Sequence, residues 1–162
     1  ALFGEGSAAV VMSGDGCSNG GASIVDTHSV LYPDSLDVMG WNMVAQGLQV
    51  VFAQRIPDIV EQHSAHDIGA FLDRNGLTLS DISHLLFHPG GTKVIAAYKR
   101  ALGLEGSRLS ISESVLRDYG NMSSATVLFV LERFLEGNPQ GGHALMSALG
   151  PGFSSESVLL RL

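Results

Sequence analysis

The chain has 162 residues and a net charge of −7, with 16 acidic against 9 basic side chains, a balance that excludes a nucleic-acid surface because phosphate binding needs a basic face. A hydrophobic share of 45% gives one domain a real core, yet the longest apolar runs, such as residues 127–131, fall far short of the ~20 residues that span a bilayer. The single cysteine, Cys17, excludes an intrachain disulfide and fits a reducing, cytoplasmic setting.

Strand-like and helix-like runs alternate along the chain, which predicts an α/β domain. The opening, "ALFGEGSAAVVM", has no methionine and starts inside a turn, as an excised portion of a longer chain would. Residues 8–12 read as a strand, and "SGDGCSNGGAS" as a glycine-rich loop. Residues 24–32 and 47–53 are the next strands. A helix starts near Pro57, where a missing N–H costs nothing, and runs to about Arg74. Asn75 and Gly76 stop it. Residues 84–87 read as a buried strand. Residues 92–102 read as a helix stopped by Gly103, and 112–119 as a short one. Residues 123–135 form a helix apolar nearly all round, hence expected to be buried. Residues 143–149 and 157–162 are two final strands joined by "GPGFSSE".

Several motifs have bland readings that win. "GEGSAA" fits G-x-G-x-x-A, but that dinucleotide fingerprint must follow a strand and open a helix. Here a strand-like run follows, so a tight turn is expected. Cys17 has neither a helix N-terminus nor a cation beside it in sequence to lower its pKa, and reads as an incidental loop cysteine. His63 and His66 lie i, i+3 on a helix without a completing ligand, and no metal site is expected. His84 and His88 are ~13 Å apart along an extended chain, too far to share an ion.

His88 is different. It ends a buried strand, where open α/β sheets bind ligands. Pro89, Gly90 and Gly91 then turn the chain and leave room for a ligand against backbone. A structural turn histidine is the competing account. Asn121 sits just ahead of an apolar helix. It is either an N-cap or an amide donor beside the positive end of a helix dipole, able to hold a developing oxyanion.

Five stretches in order, "LFGEGSAAV", "PDS" at 33–35, "HPGG" at 88–91, "YGNMSSATVLFVL" at 119–131 and "GPGF" at 150–153, resemble the type III polyketide synthases. These are chalcone and stilbene synthase-like condensing enzymes of the thiolase superfamily. The resemblance implies a thiolase-like layered α/β fold, with residues 1–162 as the C-terminal half: a mixed five-stranded sheet with helices packed on it. The N-terminal half, with its nucleophilic cysteine, is expected to lie outside this sequence, so the chain alone should be inactive. His88 and Asn121 are then the histidine and asparagine of a Cys-His-Asn triad. Ser123, Gly90, Gly91 and Val50 would line the substrate cavity, Gly150, Pro151, Gly152 and Phe153 would shape its floor, and Lys93 would contact the CoA arm.

The implied activity is decarboxylative condensation of malonyl-CoA onto an acyl-CoA starter, giving a pyrone or aromatic ring. No cofactor is implied beyond the CoA thioester substrates. The implied partners are those thioesters, the chain's own N-terminal half and a second copy in a homodimer, with no nucleic acid or membrane. Val50 stands where the plant enzymes carry an aromatic gate. A purely aliphatic passage and a fatty acyl starter are therefore expected, with an alkylpyrone or alkylresorcinol product. Two alternatives compete. A ketoacyl-carrier-protein synthase reads "HQAN" and "GNTSAA" where this chain has "HPGG" and "GNMSSA", and would need a basic docking patch. A non-catalytic scaffold or dimerisation half would not need His88 and Asn121 intact.

Overall fold

The computed structural model describes residues 3–17 and 21–162. Part of the glycine-rich loop, residues 18–20, lies outside them. The elements in chain order are β1 (Ser23–Leu31), β2 (Met39–Val44), β3 (Gly47–Phe52), α1 (Ile56–Arg74), β4 (Ile82–Phe87), α2 (Thr92–Ala101), α3 (Ser110–Tyr119), α4 (Ala125–Glu136), β5 (His143–Gly150) and β6 (Ser154–Arg161). The main sheet runs β1-β6-β5-β4, and β2 and β3 form a separate hairpin. β4 and β5 are parallel, whereas β5–β6 and β6–β1 are antiparallel.

Strand alternation sends neighbouring side chains to opposite faces, and here both faces are covered. Leu85, Phe87, Leu145 and Leu159 pack with α1 and α2. Leu86, Ala144, Met146 and Leu160 pack with α3 and α4. The result is a three-layer sandwich around β4, β5 and β6. α1 buries Ile56, Val60, Ser64, Ile68, Phe71 and Leu72, the spacing of one helix face. Pro57 lies in its first turn. The helix ends where the Asn75 amide donates to the Phe71 carbonyl at 2.9 Å and Gly76 takes a φ of +68°. Lys99 and Arg100, in the last turn of α2, also tie their helix to its neighbours through Glu113 at 2.5 Å and Glu61 at 2.8 Å.

The structure corrects five expectations. Residues 8–12 are not a strand: they make no sheet pairing among the described residues, and Val11 is 97% exposed. The main sheet accordingly has four strands among the described residues, not five. α4 is not buried all round. Ala125, Thr126, Val130 and Phe134 face inward, while Leu135 stays 43% exposed. β2 went unforeseen because "MGWNMV" mixes glycine and asparagine into the alternation, both poor strand formers. β6 begins at Ser154, so the β5–β6 turn shrinks to residues 151–153.

Candidate active site

Parallel β4 and β5 end side by side, and the site is built on those ends. The His88 N–H donates to the Ser147 carbonyl at 2.7 Å, which extends the β4–β5 ladder by one residue and fixes where the imidazole leaves the sheet. Gly90 N–H then donates to the His88 carbonyl at 3.0 Å and turns the chain into α2. The imidazole is largely buried, and no hydrogen bond holds it among the described residues. Burial pushes it down from 6.5 to about 4, because an imidazolium without water or a counter-charge is costly. In this chain His88 is therefore neutral at neutral pH.

Asn121 reaches the same place from the other side of the sheet. It follows Gly120, which ends α3 at a φ of +74°. Its Oδ1 accepts the Ser123 N–H at 2.9 Å, an Asx turn. Its Nδ2 donates to the Gly90 carbonyl at 3.1 Å. That bond bridges the histidine turn and the asparagine turn across 31 residues. Asn121 is not the N-cap of α4: Ser124 holds that position, without a side-chain cap bond. The Asn121 side chain is buried, and the second N–H of its amide has no partner among the described residues. Thr126 locks the turn by accepting the Met122 N–H at 2.8 Å and donating to the Ser123 carbonyl at 2.9 Å. Ser123 pays with a φ of +56°, unusual for a residue with a side chain.

His88, Gly90, Asn121, Ser123, Val50, Gly150 and Pro151 all line one cavity of about 550 Å³. The remaining four predicted residues sit beside it. Gly91 caps α2 with extended backbone. Lys93 is exposed in the first turn of α2, off the cavity wall. Phe153 is fully buried in the core. Its N–H donates to the Ser35 hydroxyl at 3.3 Å and its carbonyl accepts from Tyr32 N–H at 3.0 Å. Gly152 N–H donates to the Met39 carbonyl at 3.2 Å. So Gly152 and Phe153 anchor the floor loop, and Gly150 and Pro151 form its lining.

Sequence reasoning missed Met39, Trp41, Phe52 and Glu156, all on the cavity wall. The hairpin register explains the first three. Met39 pairs with Phe52 and Trp41 with Val50, so all four side chains share one face. Val50 was enough to find the rest once β2 is paired with β3. The passage is consequently not purely aliphatic, since an indole stands directly across from Val50. Glu156 accepts a hydrogen bond from the Ser29 hydroxyl. No group of three or more His, Cys, Asp or Glu side chains that could hold a metal ion occurs among the described residues. His63 packs on Tyr32, with ring centroids 5.2 Å apart, and His84 on Phe134 at 4.7 Å.

Residues 23–162 match the family model described as chalcone and stilbene synthases, C-terminal domain. The chain belongs to that family. It is a type III polyketide synthase sequence with the thiolase-like fold, matched to the C-terminal half. It is 44% identical over 170 residues to a putative chalcone synthase of Bacillus subtilis, covering 98% of this chain and 46% of the relative. It is 43% identical over 166 residues to the 1,3,6,8-tetrahydroxynaphthalene synthase of Streptomyces peucetius, covering 99% and 44%. The crystal structure of PKS-I from the brown alga Ectocarpus siliculosus superposes with a TM-score of 0.82 at 30% identity, over 91% of this chain and 41% of that one. The chain thus spans less than half the length of these relatives. No helix among the described residues is long and apolar enough to cross a membrane.

Proposed function

We propose that this chain supplies the histidine–asparagine half of a type III polyketide synthase active site, which condenses malonyl-CoA with an acyl-CoA starter. The observation that carries this is the Asn121 amide held at the Gly90 carbonyl beside His88, with one N–H left over, in a shared apolar cavity. A scaffold half has no use for a buried amide whose second N–H is left without a partner among the described residues.

In this reading a cysteine thiolate from the unspanned part of the protein takes the acyl group from its CoA thioester. Malonyl-CoA then loses CO2, and the electron pair of the broken C–C bond becomes a thioester enolate. His88 and Asn121 donate to the enolate oxygen in a dry site, where such donors act most strongly. The enolate carbon attacks the acyl-enzyme and expels the thiolate, lengthening the chain by two carbons. The thiolate also provides the charge that burial denies His88, so an imidazolium–thiolate pair forms only when both halves are present. Cys17 is exposed and off the cavity wall, which suits an incidental residue. The second copy of a homodimer belongs to the same reading.

The starter in this reading is a fatty acyl-CoA. Beside the aromatic Trp41 and Phe52, Met39, Val50, Val94, Val127 and Leu149 give the wall flexible or aliphatic cover, and each buried methylene contributes about 0.8 kcal/mol. The test uses the full-length protein with lauroyl-CoA, 4-coumaroyl-CoA and malonyl-CoA in competition. An alkylpyrone or alkylresorcinol is the expected product, and mass spectrometry should place the acyl adduct on a cysteine outside these 162 residues. Preference for the coumaroyl starter, or turnover of malonyl-CoA alone, overturns the starter assignment. No condensation product of any kind, or an adduct on Cys17, overturns the function.

Lys93 is proposed to meet the phosphates of the CoA arm outside the cavity. A cation in the first turn of a helix opposes the dipole unless an anion is near, and Lys93 has no salt bridge among the described residues, unlike Lys99 and Arg100. Lys93→Glu should raise KM for CoA thioesters more than it lowers kcat. An unchanged KM removes Lys93 from the binding surface.

A further inference from the structure

The "FGEG" segment lies next to Asn121 but has no part in the chemistry above. Phe3 pairs with Asn121 in a single parallel bridge, and Gly4 N–H donates to the Asn121 carbonyl at 3.0 Å. A Cβ built on Gly4 would stand 2.1 Å from the Tyr119 carbonyl oxygen, and one on Gly6 2.4 Å from Met122 Sδ. Neither contact is possible for a real side chain. Gly4 and Gly6 are also absent from the glycines that adopt positive φ. Their backbone is open to any residue, so glycine is required here for space and not for conformation. The tight turn read from "GEGSAA" does not lead into a strand. Phe3 and Gly4 instead lie backbone against backbone beside Asn121, and Gly6 lies against the Met122 side chain.

We propose that Gly4 and Gly6 are positioning residues that set the Asn121 amide at the cavity, Gly4 through its backbone contact and Gly6 through the room it leaves for Met122. Asn121 is held by its side chain at Ser123 and Gly90, but its main chain is fixed from behind by Gly4. Gly4 wedges against both carbonyls that flank Gly120: it bonds to that of Asn121 and touches that of Tyr119. A Cβ at Gly4 meets the Tyr119 carbonyl first, backbone that cannot swing aside, so the bond that fixes the Asn121 main chain must shift. A Cβ at Gly6 meets the buried Met122 side chain, 2.4 Å from Sδ, 3.2 Å from Cγ and 3.4 Å from Cβ, which can yield only in part and passes the rest of the push to the turn. The two substitutions therefore differ in a way that burial alone would not predict. The inference rests on Asn121 as the enolate donor, and its test separates the two claims.

The experiment compares Gly4→Ala, Gly6→Ala, Gly6→Ala with Met122→Ala, and Asn121→Ala in the full-length protein. It measures malonyl-CoA decarboxylation, starter acylation and Tm. Gly4→Ala is expected to lower decarboxylation on the order of 100-fold, the scale set by a misplacement of about 1 Å, while starter acylation stays at the wild-type rate. Gly6→Ala should lose less, and removing the Met122 thioether should restore it. Wild-type decarboxylation in Gly4→Ala, or equal loss of acylation and decarboxylation in a stable variant, overturns the proposal. Should Gly4→Ala not fold, the Gly6 pair decides: loss with recovery supports the strut, and no loss in Gly6→Ala overturns it. If Asn121→Ala keeps wild-type decarboxylation, the donor role fails instead. The Asn121 side-chain amide resonances then judge the strut alone: shifted in Gly4→Ala they support it, unmoved they overturn it.

Discussion

In the full-length protein, His88→Ala and Asn121→Ala are each expected to lower malonyl-CoA decarboxylation on the order of 100-fold, the loss typical for one donor to a buried oxyanion. The two variants should part at the first step. On the proposed mechanism His88→Ala should also slow acylation, because the thiolate would lose its cation. Asn121→Ala leaves acylation close to wild type. The alanine variant has a cost of its own: it strips partners from the Ser123 N–H and the Gly90 carbonyl, and buried unpaired groups cost about 1–3 kcal/mol each. Asn121→Asp controls for the first of these losses, though not for the bond to the Gly90 carbonyl, to which a carboxylate cannot donate. An aspartate keeps the acceptor for Ser123 but puts a carboxylate where the proposed mechanism forms the enolate. A stable Asn121→Asp protein that still decarboxylates malonyl-CoA would reduce Asn121 to a turn former.

The layered core was legible because its signals are local. α1 carries its face, its proline and its stop in consecutive residues, and "HLLF" is apolar on both sides, as a strand between two helical layers must be. His88 and Asn121 stood out by their place beside glycines and just ahead of helices. Their bridge did not, because the Asn121–Gly90 bond joins two turns far apart in sequence. Residues 8–12 show the opposite failure. Val10 and Val11 have strand propensity, but a strand needs a neighbour to pair with, and none pairs with them among the described residues. The same holds for the outer face of α4, whose apolar side chains predict a burial that the described residues give only in part. Trp41 was hidden for a third reason. Its place on the cavity wall depends on cross-strand register, which the hydropathy of one strand cannot express.

His88 ties stability to pH in this chain, and the sign follows from burial. Its folded value of about 4 lies below the ordinary 6.5. Between these limits the unfolded chain binds a proton that the folded chain refuses. Stability from this group is therefore complete above about pH 6.5 and is lost as pH falls toward 4. At pH 5 the loss amounts to about 2 kcal/mol. The carboxylates held low, Asp26, Glu61, Asp81 and Asp118, act in a lower window, as they give up their stabilisation only when they protonate. His88→Gln should accordingly flatten the unfolding free energy between pH 7 and 5 without changing its fall below pH 4. An NMR titration of the His88 ring in this chain should show a midpoint near 4, and a midpoint at or above 6.5 would mean the imidazole is solvated. The full-length protein should move that midpoint up, because the thiolate is a counter-charge. The coupling is reciprocal: each unit gained by the imidazolium is matched by a unit of thiol acidity, about 1.4 kcal/mol. Alkylating the nucleophilic cysteine removes the charge and should return His88 toward 4. A midpoint that ignores alkylation would separate His88 from the thiolate and leave it a donor to the enolate alone.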